Sequence, residues 1–102
     1  MSEPSEGLRP TIRLDKWLWH ARFLKSRSLA SDLVAEGRLR VNGQHTEKPA
    51  RAVGPGDVLT FTLHGEVRVV RILGLGARRG PAPEARELYE DLAPASPPPP
   101  LE

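Results

Sequence analysis

The chain contains no cysteine, and its single methionine is the first residue. Disulfides, thiolate nucleophiles and most structural zinc sites are excluded by that alone. Long apolar runs are missing too. No stretch approaches the roughly eighteen apolar residues of a membrane span, and no positively charged start feeds an apolar segment. A membrane partner is not expected, and the cytoplasm is the expected compartment. Catalytic constellations are equally scarce: there is no Ser/His/Asp pattern, and outside the acidic tail no carboxylate cluster has metal-ligand spacing. No enzyme, no metal site and no cofactor is expected. The global charge says little, because 15 Lys and Arg face 13 Asp and Glu for a net of +2. At 102 residues there is room for one small domain with a single modest core.

What the chain does carry is concentrated between Arg13 and Gly43, RLDKWLWHARFLKSRSLASDLVAEGRLRVNG. Leu14, Trp17, Leu18, Ala21 and Leu24 recur at the three- and four-residue steps of one helical face. Thr11 is a candidate cap, and Asp15 falls in the opening turn, where a carboxylate suits the helix dipole. With no second carboxylate or nucleophile beside it, Asp15 reads as a helix-start residue or the partner of a nearby arginine. Ser26 offers a side-chain oxygen to the amides of a second helix, which presents Leu29, Ala30, Leu33 and Val34 on one side. Gly37 suits the left-handed conformation that closes a helix. Leu39 and Val41 then alternate with Arg38 and Arg40, and Asn42-Gly43 is the dipeptide a type I′ hairpin turn prefers. Opposite the apolar stripe of the first helix, Trp19 and Phe23 are four residues apart and expected to touch. Cover by a second layer is favoured over an exposed pair that stacks on bases. His20 has no ligand partner near it.

An excess of cations overlies this scaffold. Between Leu8 and Arg51, Arg9, Arg13, Lys16, Arg22, Lys25, Arg27, Arg38, Arg40, Lys48 and Arg51 face only Asp15, Asp32, Glu36 and Glu47. Ten against four leaves +6 on one compact unit, the footprint of a polyanion partner. Lys25, Ser26 and Arg27 sit at the helix junction, where free amides and two cations suit a phosphate. Arg13 and Lys16 project from the first helix start. Arg38 and Arg40 share a strand face, and they join the same patch if the hairpin folds back beside the helices. Isolated members such as Arg51 and Arg86 read as solvated.

The remainder reads more quietly. Residues 1–10 are expected to be a disordered leader, residues 11–92 the domain, and residues 93–102 a Pro-rich tail. Val53-Gly54-Pro55-Gly56-Asp57 is a turn rather than a phosphate loop, since it lacks the Lys-Ser/Thr ending and opens a strand. Val58 to Leu63 alternates as a strand, and His64-Gly65 reverses the chain into a second strand from Val67 to Leu73. Gly74 to Pro83 is a loop holding Arg78 and Arg79. Glu84 to Leu92, EARELYEDL, is expected to form a short helix, with an acidic charge better placed to dock back on the domain than to meet phosphates. Two helices followed by short strands give an α+β domain with a small, mainly antiparallel curved sheet and a short C-terminal helix.

The segment RLDKWLWHARFLKSRSLASDLVAEGRLRVNG resembles the S-four RNA-binding domain, the alpha-L motif. More narrowly, RLDKWLWHARF and the later ARRGPAPEARELYEDL resemble the ribosome-associated heat-shock branch of that family and its short ribosome quality-control relatives. The resemblance runs from about Arg13 to Leu92. It implies an RNA-binding patch centred on Arg13, Lys16, Lys25, Arg27 and Arg38, with Arg22, Ser26 and Arg40 around it. The implied partners are ribosomal RNA, the large ribosomal subunit blocked by a nascent chain, and peptidyl-tRNA. The acidic, Pro-rich end resembles the short relatives more than the heat-shock branch, whose members carry a basic extension. Recognition is expected to rest on backbone shape and phosphate spacing, because A-form RNA hides its base edges in a deep groove. Two other readings stay open: a protein–protein adaptor using Trp19, Phe23 and the acidic segment, and the detached targeting domain of an RNA-modifying enzyme.

Overall fold

Period-two alternation and two tight turns organise the sheet. The structure, a computed structural model, describes residues 10–93. Most of the expected leader and of the expected tail lies outside the described residues. In chain order the elements are β1 (Ile12–Arg13), α1 (Leu14–His20), α2 (Arg27–Ala35), β2 (Leu39–Val41), β3 (Gln44–Thr46), β4 (Ala52–Val53), β5 (Val58–Leu63), β6 (Glu66–Ile72), α3 (Ala82–Arg86) and β7 (Tyr89–Ala93). Five strands form an antiparallel sheet in the order β3-β2-β5-β6-β7, and β1 pairs separately with β4. The domain is α+β, as expected.

The core lies between the helices and one face of that sheet. Leu39 and Val41 of β2, Leu59 and Phe61 of β5, and Val70 and Ile72 of β6 turn inward to meet Leu14, Trp17 and Leu18 of α1 and Ala30, Leu33 and Val34 of α2. Four of the five aromatic rings belong to this core. Trp17 lies edge-on to Tyr89 at 6.4 Å, and Phe23 packs on Phe61 at 5.2 Å and Tyr89 at 4.7 Å, separations at which ring quadrupoles attract. Leu29 departs from expectation. It is 48% exposed, because Ala30, Leu33 and Val34 alone fill the narrow stripe that a nine-residue helix presents.

The first helix starts and ends differently than its side-chain pattern suggests, while the second keeps the expected cap and closure. Thr11 does not cap α1. The Leu14 amide donates to the Arg51 carbonyl at 2.8 Å and the Asp15 amide to the Pro49 carbonyl at 3.1 Å, so backbone from β4's approach does the capping. The helix stops at His20, because Arg22 takes φ 67°. Its amide reaches the Trp19 carbonyl at 3.0 Å and the Phe23 amide reaches the Leu18 carbonyl at 3.1 Å, a Schellman closure with arginine where glycine is usual. Phe23 therefore leaves the helix and swings into the core, away from the ring contacts expected with Trp19. Leu24 is likewise outside α1, part-buried against the core. Ser26 does cap α2, its Oγ accepting the Leu29 amide at 3.1 Å, and Gly37 takes φ 75° at the helix end.

The segment from Glu84 to Leu92 is the main correction. A helix occupies only Ala82–Arg86, and Tyr89–Ala93 is the strand β7. Leu88 and Leu92 fit a helical step, but so do Tyr89 and Asp91 fit one face of a strand. The open edge of β6 decides between them. Asp91 pairs with Arg68 at 2.9 Å and Glu90 with Arg71 at 2.8 Å across the two strands. Tyr89, on the inner face, reaches Trp17 and Phe23. The acidic segment docks back on the domain.

The two hairpin turns are both left-handed at their first residue, with Asn42 at φ 52° and His64 at φ 53°. Asn42 also ties the hairpin to the next corner. Its Oδ1 accepts the Val58 amide at 2.9 Å, and its Nδ2 donates at 3.1 Å to the buried Asp57 carboxylate, which also accepts the Gly54 amide at 2.9 Å. Asn42→Ala is expected to lose about 2 kcal/mol, from two hydrogen bonds of about 1 kcal/mol each, with the left-handed penalty adding to it. Urea unfolding monitored by tryptophan fluorescence measures it; a loss below about 0.5 kcal/mol contradicts this role for Asn42.

Candidate nucleic-acid interface

The expected cations separate into three groups. In the first, Arg13 at the end of β1 and Arg27 at the start of α2 turn toward one carboxylate. Arg13 Nε and Nη2 donate to Asp15 Oδ1 and Oδ2 at 3.1 and 3.0 Å, and Arg27 Nη2 stands 3.6 Å from Oδ1. Asp15 is 3% exposed, so its charge is held by the two guanidinium groups rather than by water. The arginine side chains are 51% and 43% exposed. Hydrogen bonding to Asp15, with its negative charge, pushes the Arg13 pKa above the usual arginine value. Lys16 follows on α1, half-buried, and Lys25 and Ser26 lie on the link into α2. The Ser26 hydroxyl is occupied by the α2 cap, so its part is to set the helix start that carries Arg27.

The second group lies at the far end of α1. The Arg22 guanidinium donates to the Gly80 carbonyl at 2.8 Å. Beside it Arg79 reaches back from the long loop after β6, donating through Nη1 to the Trp19 carbonyl at 3.1 Å and the Leu24 carbonyl at 2.8 Å. Its guanidinium stands over the Trp19 ring, 5.6 Å from the centroid. Burial, and the neighbouring Arg22 cation, push the Arg79 pKa below the usual value. Trp19 is thus half-covered by an arginine and by His20, whose ring centroid is 5.6 Å away. Sequence reasoning missed Arg79. Nothing local separates it from Arg78; only the fold brings residue 79 to residues 19 and 24.

Arg38 and Arg40 form the third group. Arg38 pairs with Glu36 at 3.1 Å. Arg40 is exposed between Leu39 and Val41, which are buried against the helices, and its cross-strand neighbours are His45 and Thr60. Arg40 therefore lies on the sheet face turned away from the helix layer, while Arg13 and Arg27 lie at the helix end. Among the described residues no group of three or more His, Cys, Asp or Glu side chains is placed to hold a metal ion. No helix among them is long and apolar enough to cross a membrane. His20 is buried, and its Nδ1–H donates to the Leu75 carbonyl at 3.1 Å.

Residues 12–59 match the S4 domain family model. A protein of Aeromonas salmonicida described as a heat shock protein 15 homolog is 43% identical over 91 residues, covering 89% of this chain and 67% of its own. The chain spans 61% of the length of the Escherichia coli heat shock protein 15. An RQC P-site tRNA stabilizing factor of Listeria innocua is 34% identical over 82 residues, covering 80% of this chain and 87% of its own. The solved trimeric structure of Vibrio cholerae heat shock protein 15 superposes with a TM-score of 0.77 at 40% identity, covering 84% of this chain and 86% of that one.

The Arg79 geometry gives a direct test of the second group. Lysine keeps the charge but not the planar fork that reaches two carbonyls while lying on a ring. Arg79→Lys is expected to lower stability by about 1–2 kcal/mol, the scale of a lost charged hydrogen bond. It should also shift Trp19 fluorescence in the folded protein. Thermal and urea melts with emission spectra check both, and an unchanged melt would show that Arg79 does not hold the helix junction.

Proposed function

The chain belongs to the S4 domain family, and from that premise we propose that it is a non-catalytic RNA-binding protein that works on the ribosome. Its ligand on this reading is structured ribosomal RNA or tRNA on large subunits blocked by a nascent chain. One observation carries the proposal: Arg13 and Arg27, separated by fourteen positions, bring two half-exposed guanidinium groups to a single carboxylate. Guanidinium matches phosphate geometry with paired N–H donors, so two such groups side by side suit a phosphodiester backbone. Lys16 and Lys25, on the same chain segment, add to the local positive potential. Arg22, Ser26, Arg38 and Arg40 complete the candidate set, with Arg22 and Ser26 acting through structure and Arg38 and Arg40 forming a separate cationic group on the sheet side. The relative described as a P-site tRNA stabilizing factor supports tRNA as part of the ligand. The likeness to heat shock protein 15 relatives supports a stress-linked setting. A binder of this kind acts by stabilising one state of the particle, with no bond made or broken.

Sucrose-gradient sedimentation at several salt concentrations tests the reading. Co-migration with large subunits that weakens steeply with salt is the expected result. Association that ignores salt, or none at all, favours the protein–protein adaptor instead. Arg13→Ala and Arg27→Ala should each weaken binding and flatten the salt slope by about one unit. Arg86→Ala, on α3 between Glu84 and Glu87, should do neither. The two site variants are also expected to melt earlier, because each removes a partner of buried Asp15, so binding is compared well below their melting temperatures. Equal loss in Arg86→Ala and Arg27→Ala would contradict the assignment.

A further inference from the structure

We propose that Asp15, a negative charge inside a cationic surface, is a positioning residue that strengthens anion binding by fixing Arg13 and Arg27. This rests on the phosphate-binding reading of those two arginines. On charge alone Asp15 should oppose an RNA partner, and removing it should tighten binding. Its geometry argues otherwise. The Asp15 side chain is 4% exposed, held under the surface where the Asp15 amide bonds to the Pro49 carbonyl at 3.1 Å. A phosphate approaching from solvent does not reach it.

Arg13 spends only one edge of its guanidinium on Asp15, through Nε and Nη2. Of its five N–H donors, two are used, and the Nη1 edge faces away from the carboxylate. The same oxygen that accepts from Arg13 Nε lies 3.6 Å from Arg27 Nη2. One buried anion therefore offsets the mutual repulsion of two cations, holding the Arg13 head by two hydrogen bonds and drawing the Arg27 head beside it by charge before any ligand arrives. Long side chains fixed in advance lose less freedom on binding. The carboxylate thus serves the phosphate site without competing for it.

The test uses the full chain and salt-washed large ribosomal subunits as the probe. Asp15→Asn keeps the shape and removes the charge that orients both arginines. Its affinity is expected to fall about tenfold, the scale of re-mobilising one or two long side chains, although the net charge rises by one. In an Arg13→Ala/Arg27→Ala background the same substitution should have no further effect on binding, which separates positioning from a general loss of structure. Equal or tighter binding by folded Asp15→Asn would overturn the proposal, and so would an undiminished loss in the double background. Should Asp15→Asn fail to fold, NMR relaxation of the arginine Nε–H groups in the unsubstituted chain decides. Arg13 Nε–H is expected to be rigid while Arg86 Nε–H is mobile, and equal mobility would overturn the proposal. If the unsubstituted chain binds no subunits, the proposed function fails. If it binds and Arg27→Ala weakens it but Asp15→Asn does not, only the positioning role fails.

Discussion

The rest of the structure depends on the fully buried indole of Trp17. A buried N–H without an acceptor costs on the order of 1–3 kcal/mol, so the ring can enter the core only where a carbonyl waits for it. Gly74 supplies that carbonyl at 2.8 Å. Meeting this requirement draws the chain after β6 across α1, and the neighbouring contacts repeat the pattern. His20 bonds to the Leu75 carbonyl, Arg22 to the Gly80 carbonyl, and Arg79 to the Trp19 and Leu24 carbonyls. The loop and the first helix are laced together by side chains reaching backbone oxygens in both directions. Once the loop lies there, the following chain meets the open edge of β6, and Tyr89 closes the aromatic cluster over Trp17.

That same docking sorts the charges. Three acidic residues of the C-terminal segment each neutralise an arginine: Glu84 with Arg78, Glu90 with Arg71 and Asp91 with Arg68. The Arg78 and Arg71 pairs are about half exposed and add little stability individually, while Arg68 is more covered and lies over the Phe23 ring. Their larger effect is on the field, since they balance cations of the sheet and loop while leaving those of the helix end in excess. The exception at the helix end, Asp15, is buried and shared by two arginines. In a chain with a net charge of only +2, Arg13, Lys16, Lys25 and Arg27 near the start of α1 and of α2 thus face the single buried carboxylate of Asp15.

Much of this was legible from local patterns. The Ser26 cap, the Gly37 helix end, the Asn42-Gly43 and His64-Gly65 reversals and the alternation from Val58 to Leu63 each depend on a few neighbouring residues, and each appears where expected. Asp15 was legible as the partner of a nearby arginine, though not as the partner of two. The misses share one cause. Thr11 loses the cap of α1 to carbonyls of Pro49 and Arg51, which no local window contains. Phe23 leaves the helix, and with it the expected contact with Trp19, because Arg22 tolerates a left-handed backbone while its head bonds to Gly80, 58 positions away.

The amino-acid sequence by itself determined the helix–helix–hairpin order, the left-handed turn positions and the density of cations, because these follow from backbone preference, side-chain period and charge count. Tertiary structure decided what those elements do together. It turned the second half of EARELYEDL from a helix into a strand, because the unpaired edge of β6 and the arginines Arg68 and Arg71 outweigh a marginal helical preference. It separated Arg40 on the outer sheet face from Arg13 and Arg27 at the helix end, since a strand buries alternate residues and must expose the others. It joined Arg13 to Arg27 through Asp15 and Arg79 to Trp19, pairings set by distances in the fold that no spacing along the chain encodes.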